Sequence, residues 1–204
     1  MSLPARVPSS AAQRSAGSSA LQQRVAAAIL EAAAQVLARA GEQASMNDVA
    51  AAAGVARATV YRYFPNRQAL LDRLAEVAVA DAGARLASAR IDEVEPDEGV
   101  ARAVRALIDV GDYFIALAHE RIRPAPEEFE EKIAVPLGRL FERGQASGAI
   151  RADVPGLWLT ESLVALVVGA LSATPSLGRE DSVAAITSMF LDGARSRSAS
   201  TTAP

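Results

Sequence analysis

An all-α chain of about nine helices is the fold class that this sequence predicts, and three observations predict it. Alanine, the best intrinsic helix former, supplies 46 of the 204 residues, while clusters of β-branched residues are sparse. Apolar residues recur at helical spacing in segment after segment, with glycine or proline between the segments. Charge is spread unevenly over them. Residues 1–75 carry 8 Arg against Glu31, Glu42, Asp48 and Asp72, a balance of +4, whereas residues 76–204 carry 13 basic and 20 acidic residues, a balance of −7. Within a net charge of −3, that asymmetry points to a polyanion-binding module on an acidic body.

The elements follow in order. Residues 1–19, rich in Ser, Ala and Pro with two arginines, read as a disordered basic tail. From Leu21, the residues Val25, Ile29, Val36 and Leu37 form one apolar stripe, filled in by Ala28, Ala32 and Ala33, and Gly41 supplies a stop. Ser45 followed by Asp48 three residues on is a capping-box start for a short helix that ends at Gly54. Val55-Ala56 makes a tight turn, and a second short helix opens at Arg57 and runs to Tyr63. Two short helices joined by a glycine-containing turn form a helix-turn-helix. Pro65-Asn66 breaks the chain before a long helix over about 67–89, with Leu70, Leu71, Leu74, Val77 and Ala78 on its inner face.

The acidic stretch 92–98 reads as a solvated connection, followed by one helix over about 97–118. Pro124 and Pro126 precede a helical stretch over about 127–147, which Pro136 either kinks or restarts, and Gly148 ends it. Two last helices are expected over about 156–172 and 179–196. The domain reading is a tail at 1–19, a helix-turn-helix domain at 20–66, a larger helical domain at 67–197 and a second disordered tail at 198–204.

Composition excludes much. There is no cysteine and a single histidine, His119, so disulfides, thiolate chemistry and Cys/His metal clusters are out, and no cofactor is implied. Neither a phosphate-binding glycine loop nor a nucleophile elbow occurs. The N-terminal stretch lacks the apolar core of a signal peptide, and the longest apolar run, 157–173, falls short of the roughly 20 residues that span a bilayer. A cytoplasmic chain is the expectation.

The segment 45–71, SMNDVAAAAGVARATVYRYFPNRQALL, concentrates the chemistry. A helix-turn-helix sets the start of its second helix in the major groove. Base contacts are therefore expected from Arg57, whose guanidinium matches guanine O6 and N7, from the small Ala58, and from Tyr61 one turn on. Phosphate contacts are expected from Ser45, Thr59, Tyr63 and Arg67, although Ser45 caps its helix with or without DNA and a lone tyrosine is more often a half-buried packing residue.

Asp48-Val49-Ala50, Ala53-Gly54-Val55, the run from Thr59 to Phe64 and the Leu70-Leu71 pair resemble the DNA-binding region of the TetR family, over about residues 21–71. Ala56 stands where that family often has a serine N-cap, and Arg67 where lysine is common. The resemblance implies a homodimeric repressor that binds a pseudo-palindromic DNA operator and is released by a small molecule, and an apolar pocket with few charges suggests a hydrophobic effector. It implies ligand contacts in the larger domain, with Tyr113, Phe114, Leu117, His119 and Trp158 as candidates, although core packing explains the aromatics equally well. It also implies dimerisation through the last two helices, with Leu163, Val167 and Leu171 at the interface and a line of small residues, Ser162, Ala165 and Gly169, for close approach, the alternative being that the first of them is a fully buried helix inside one subunit. Two rival readings stand beside it. One is a constitutive architectural DNA-binding protein of the same fold. The other is an enzyme using acids such as Glu127, Glu128, Glu130 and Glu131, which a solvated helix face explains more simply.

Overall fold

The computed structural model describes residues 10–173 and 177–196, with side chains from residue 19 onward, and every regular element among them is helical. Helix α1 spans Ser10–Ala40 and runs into a 3₁₀ turn at Gly41–Gln43. It begins about ten residues earlier than its apolar stripe predicts, so residues 10–19 belong to it rather than to a tail. After Pro8 no proline interrupts the alanine-rich sequence, and nothing forbids the helix from propagating. The expected tail residues 1–9 and 198–204 lie outside the described residues.

Helix α2, Met46–Ala52, and α3, Arg57–Tyr63, follow, with Gly54 at φ +66° in the turn between them. Helix α4, Arg67–Ser88, starts from Asn66, whose side-chain oxygen accepts the Ala69 amide at 2.8 Å. The single helix expected over 97–118 is two helices, α5 at Pro96–Ile108 and α6 at Asp112–His119. Gly111, at φ +58°, turns the chain between them. The apolar spacing continues through the turn because Val110, Phe114 and Leu117 are buried on either side of it, which hides the break from a periodicity reading.

Helix α7 is continuous but not uniform. Pro126–Phe129 is α-helical, Glu130–Ala134 makes a π turn, and Val135–Ala146 resumes the α form. The wide turn sits just before Pro136, which lacks an amide and crowds the carbonyl four residues back. Helices α8, Gly156–Ser172, and α9, Arg179–Ala194, complete the nine α-helices among the described residues.

One apolar core runs from Ile29 in α1 to Ala194 at the end of α9, so the N-terminal helices and the body are not separately packed. Helix α6 lies against α1, α4 and α8. Helix α9 packs on α5, rimmed by Arg105–Glu180, Arg179–Asp109 and Arg195–Asp97 ion pairs that are exposed and orient the helices more than they stabilise them. Arg143 of α7 donates to the carbonyls of Ile91 at 2.7 Å and Val94 at 3.1 Å, fixing the α4–α5 connection. The end of α9 is pinned by an antiparallel bridge between Ile150 and its C-cap residue Arg195.

Helix α7 contains two glycines with opposite surroundings. A Cβ on Gly144 would collide with Ile150 Cγ1 and lie 3.1 Å from its Cβ, and the bridge to Arg195 holds Ile150 in place. A Cβ on Gly138 would meet nothing within 4 Å. Gly144→Ala is therefore expected to destabilise the protein by about 1–3 kcal/mol through overpacking, whereas Gly138→Ala should stabilise it by about 0.5–1 kcal/mol through helix propensity. Denaturant titrations of both variants at one protein concentration check the opposite signs.

Candidate DNA-binding interface

The α2–α3 unit is built from local rules. Ser45 caps α2: its hydroxyl accepts the Asp48 amide at 3.3 Å, and the Asp48 carboxylate accepts the Ser45 amide at 2.8 Å and its hydroxyl at 2.6 Å. These bonds hold the Asp48 carboxyl below its ordinary range, with the Ser45 hydroxyl the largest cause. Ala56 gives α3 no side-chain cap, as its sequence requires. Instead α3 is held from below. Val60 is fully buried and Phe64 nearly so, and complete burial of a valine contributes about 1.5–3 kcal/mol.

With Val60 and Phe64 facing inward, α3 turns Arg57 and Ala58 to solvent and leaves Thr59, Tyr61 and Tyr63 partly exposed. The Arg57 guanidinium carbon sits 5.2 Å from the centre of the Tyr61 ring, and one of its nitrogens lies 3.4 Å from the Tyr61 hydroxyl. Arg62 stacks in the same way on Tyr63, at 5.3 Å. Two stacked arginine–tyrosine pairs thus arm a seven-residue helix, and each guanidinium keeps donors free for an acceptor. Ser45 is exposed at the start of α2. Arg62, not among the expected contact residues, is exposed beside them.

Arg67 stands apart from this group. Its Nη2 donates to Glu120 Oε1 at 2.7 Å and its Nε to Glu120 Oε2 at 3.3 Å, while Nη1 donates to the Ala44 carbonyl and Nη2 reaches the Gly41 carbonyl at 3.5 Å. The Glu120 side chain is only 6% exposed. Arg67, expected to grip phosphate, is bonded inward in the DNA-free chain, and leaving Glu120 would strand a buried carboxylate, which for buried pairs costs up to about 3–5 kcal/mol. No local signal announces Glu120, which lies 53 residues away in sequence.

The other candidates scatter. Phe114 and Leu117 are core residues. Tyr113 is half-buried in a groove with Leu30, Phe64 and Val77, and burial, then Glu31 and Asp81, push its hydroxyl above the ordinary range. The His119 ring lies against Gly41, with Nδ1 3.4 Å from the Leu37 carbonyl. Trp158 is 59% exposed. These five residues do not converge on one cavity, because α6 turns Tyr113 and His119 toward α1 and the first turn of α8 points Trp158 outward. Leu163 and Val167 are fully buried within the chain's own core and cannot face a partner, whereas Leu171 lines an open groove of about 520 Å³ between α8 and α9. Ala165 and Gly169, from the small-residue line, are exposed along that groove, and Ser162 is partly exposed.

A buried-backed helix bearing stacked arginines, presented by a capped partner helix across a glycine turn, is the DNA-reading element of a helix-turn-helix transcriptional regulator. The comparisons agree. Residues 29–74 match the family described as bacterial regulatory proteins, tetR family. The HTH-type transcriptional repressor LfrR of Mycolicibacterium smegmatis is 31% identical over 181 residues, covering 86% of this chain and 93% of LfrR. The HTH-type transcriptional regulator NfxB of Pseudomonas aeruginosa is 26% identical over 160 residues, covering 74% and 85%. The crystal structure of LfrR from Mycobacterium smegmatis in complex with proflavine superposes with a TM-score of 0.65 at 30% identity, over 83% of this chain and 96% of that one. The chain belongs to the TetR family.

The capping box carries a pH dependence of known sign. A carboxyl whose folded value is depressed stabilises fully above its unfolded value and ceases to do so as the pH falls through the folded one. The protection factors of the first-turn amides of α2, which compare exchange with the unfolded rate at the same pH, should therefore fall on acidification through and below the carboxylate range, and Asp48→Asn should remove that pH dependence.

Proposed function

We propose that the chain is a cytoplasmic, homodimeric transcriptional repressor that reads a pseudo-palindromic operator through α3 and is released from it by a small hydrophobic effector, acting as a regulator and not as an enzyme. The observation that carries this reading is the exposed face of α3, where Arg57, Ala58 and Tyr61 lie over the buried Val60. Arg57, already aligned by the Tyr61 ring, reads a guanine; Thr59, Tyr63, Arg62 and Ser45 flank it and meet the phosphates.

Dimerisation is supported by the apolar surface that α8 and α9 leave uncovered. Ala165, Gly169, Ala170, Leu177 and Met189 are exposed there, and contiguous apolar surface of this kind marks an interaction site. A two-fold pair of α3 helices spaced about 34–36 Å apart would enter successive major grooves. Release is supported by kinship with LfrR, whose structure holds proflavine. An effector acts only through its preference for one arrangement of the dimer, and a hundredfold preference corresponds to about 2.7 kcal/mol per site. Among the described residues no helix is long and apolar enough to cross a membrane, which accords with this reading.

Arg57→Ala is expected to weaken binding to a selected DNA site by about 1–3 kcal/mol and to relax base preference at one position per half-site. Equal losses on selected and scrambled DNA would remove Arg57 from base reading. Ala165→Arg should dissociate the dimer into folded protomers in sedimentation velocity, since it places a charge on the exposed groove. Proflavine is the first effector to titrate: displacement of DNA from an intact dimer supports release, and a panel of hydrophobic compounds that never alters DNA affinity would favour constitutive binding.

A further inference from the structure

We infer that Arg67 and Glu120 form a positioning pair that sets the angle of the α2–α3 unit on the body, and that Arg67 is therefore not a phosphate ligand. This rests on the reading of α3 as the DNA-reading helix. Four elements meet at one guanidinium. Arg67 is the first residue of α4, Glu120 is the C-cap of α6, the Gly41 carbonyl belongs to the 3₁₀ turn that follows α1, and the Ala44 carbonyl immediately precedes the α2 cap at Ser45.

The planar fork matters here. A guanidinium directs its N–H groups in fixed directions, so bonds to both Glu120 oxygens orient it rigidly and leave its remaining edge for the two carbonyls. An ammonium at the same place would supply the charge without the orientation. The contact is also sheltered, with the Arg67 side chain 32% exposed and the Glu120 side chain 6%. Next to it, His119 of α6 meets the Leu37 carbonyl and packs on Gly41, so the end of α6 bears on the α1–α2 junction through two consecutive residues. A displacement of that end relative to α4 must move the Ala44 carbonyl, and with it the start of the DNA-reading unit.

Removing an acid from a DNA-binding protein ordinarily leaves affinity unchanged or raises it, because the phosphate attraction is electrostatic. Removing Glu120 should lower it.

The test uses the full chain and DNA selected by the wild-type protein from a random pool, with affinities measured across a range of KCl concentrations. Glu120→Gln and Arg67→Ala are each expected to weaken binding at least tenfold with an unchanged salt slope, and the double variant should bind no more weakly than either single one. Arg67→Lys, which keeps the charge and is the variant least disposed to unfold, should also weaken binding without altering the slope. The inference is overturned if Arg67→Ala lowers the slope by about 1.8 per dimer, the signature of one lost phosphate contact per protomer. Wild-type affinity in Glu120→Gln or in Arg67→Lys overturns it too. Arg57→Ala, measured alongside, separates the two ideas: if it binds normally, the reading of α3 fails, whereas if it alone is impaired, only the positioning pair fails.

Discussion

The Glu120 carboxylate, almost wholly removed from solvent, must have a cation, and the need for that cation ties the start of α4 to the end of α6. Much else in the molecule depends on this constraint. The first turn of α4 cannot rotate away from α6 without exposing or stranding the charge, so α3, which precedes it by three residues, is held at a defined angle to the body. The shared core acts in the same direction. Leu37, Val60, Leu70 and Leu117 come from the two ends of the contact and belong to one apolar cluster. The helix-turn-helix is consequently the outer edge of a single packed body, and a strain applied to α6 reaches α1 and α2 through atoms in contact.

The DNA-reading face is chemically simple. Buried Val60 and Phe64 anchor α3, and the residues left outside are cations stacked on tyrosines. Stacking limits the rotamers that a free arginine would sample, so less conformational entropy is lost when a base edge or a phosphate is engaged. The uncapped start at Ala56 works in the opposite sense, since the first amides of α3 lack a side-chain acceptor in the free chain. Stability at that helix comes from tertiary packing and not from its own termini.

The parts of this arrangement legible in the sequence are those with local causes. The Ser45–Asp48 box, the Gly54 turn and the boundaries of α3, α8 and most of α4 follow from capping, glycine and apolar spacing within a few residues. The solvent-facing set on α3 was legible for the same reason, because one helical turn fixes which residues share a face. Three features were not. Gly111 breaks an apolar pattern that continues in register beyond it, so periodicity alone joins α5 to α6. Helix α8 is apolar on most sides, and composition could not say that Leu163 and Val167 face inward while Ala165 and Gly169 face out. The Arg67–Glu120 pair is set by tertiary packing across 53 residues, so an arginine expected to reach outward to phosphate proves to be bonded inward.

A structure of the dimer bound to DNA that the wild-type protein has itself selected tests the central claim most directly. The account predicts α3 in the major groove, with the Arg57 guanidinium within hydrogen-bonding distance of a base edge and Arg67 still paired with Glu120. Finding α3 outside the groove, or Arg67 on a phosphate with Glu120 left without its cation, would contradict it.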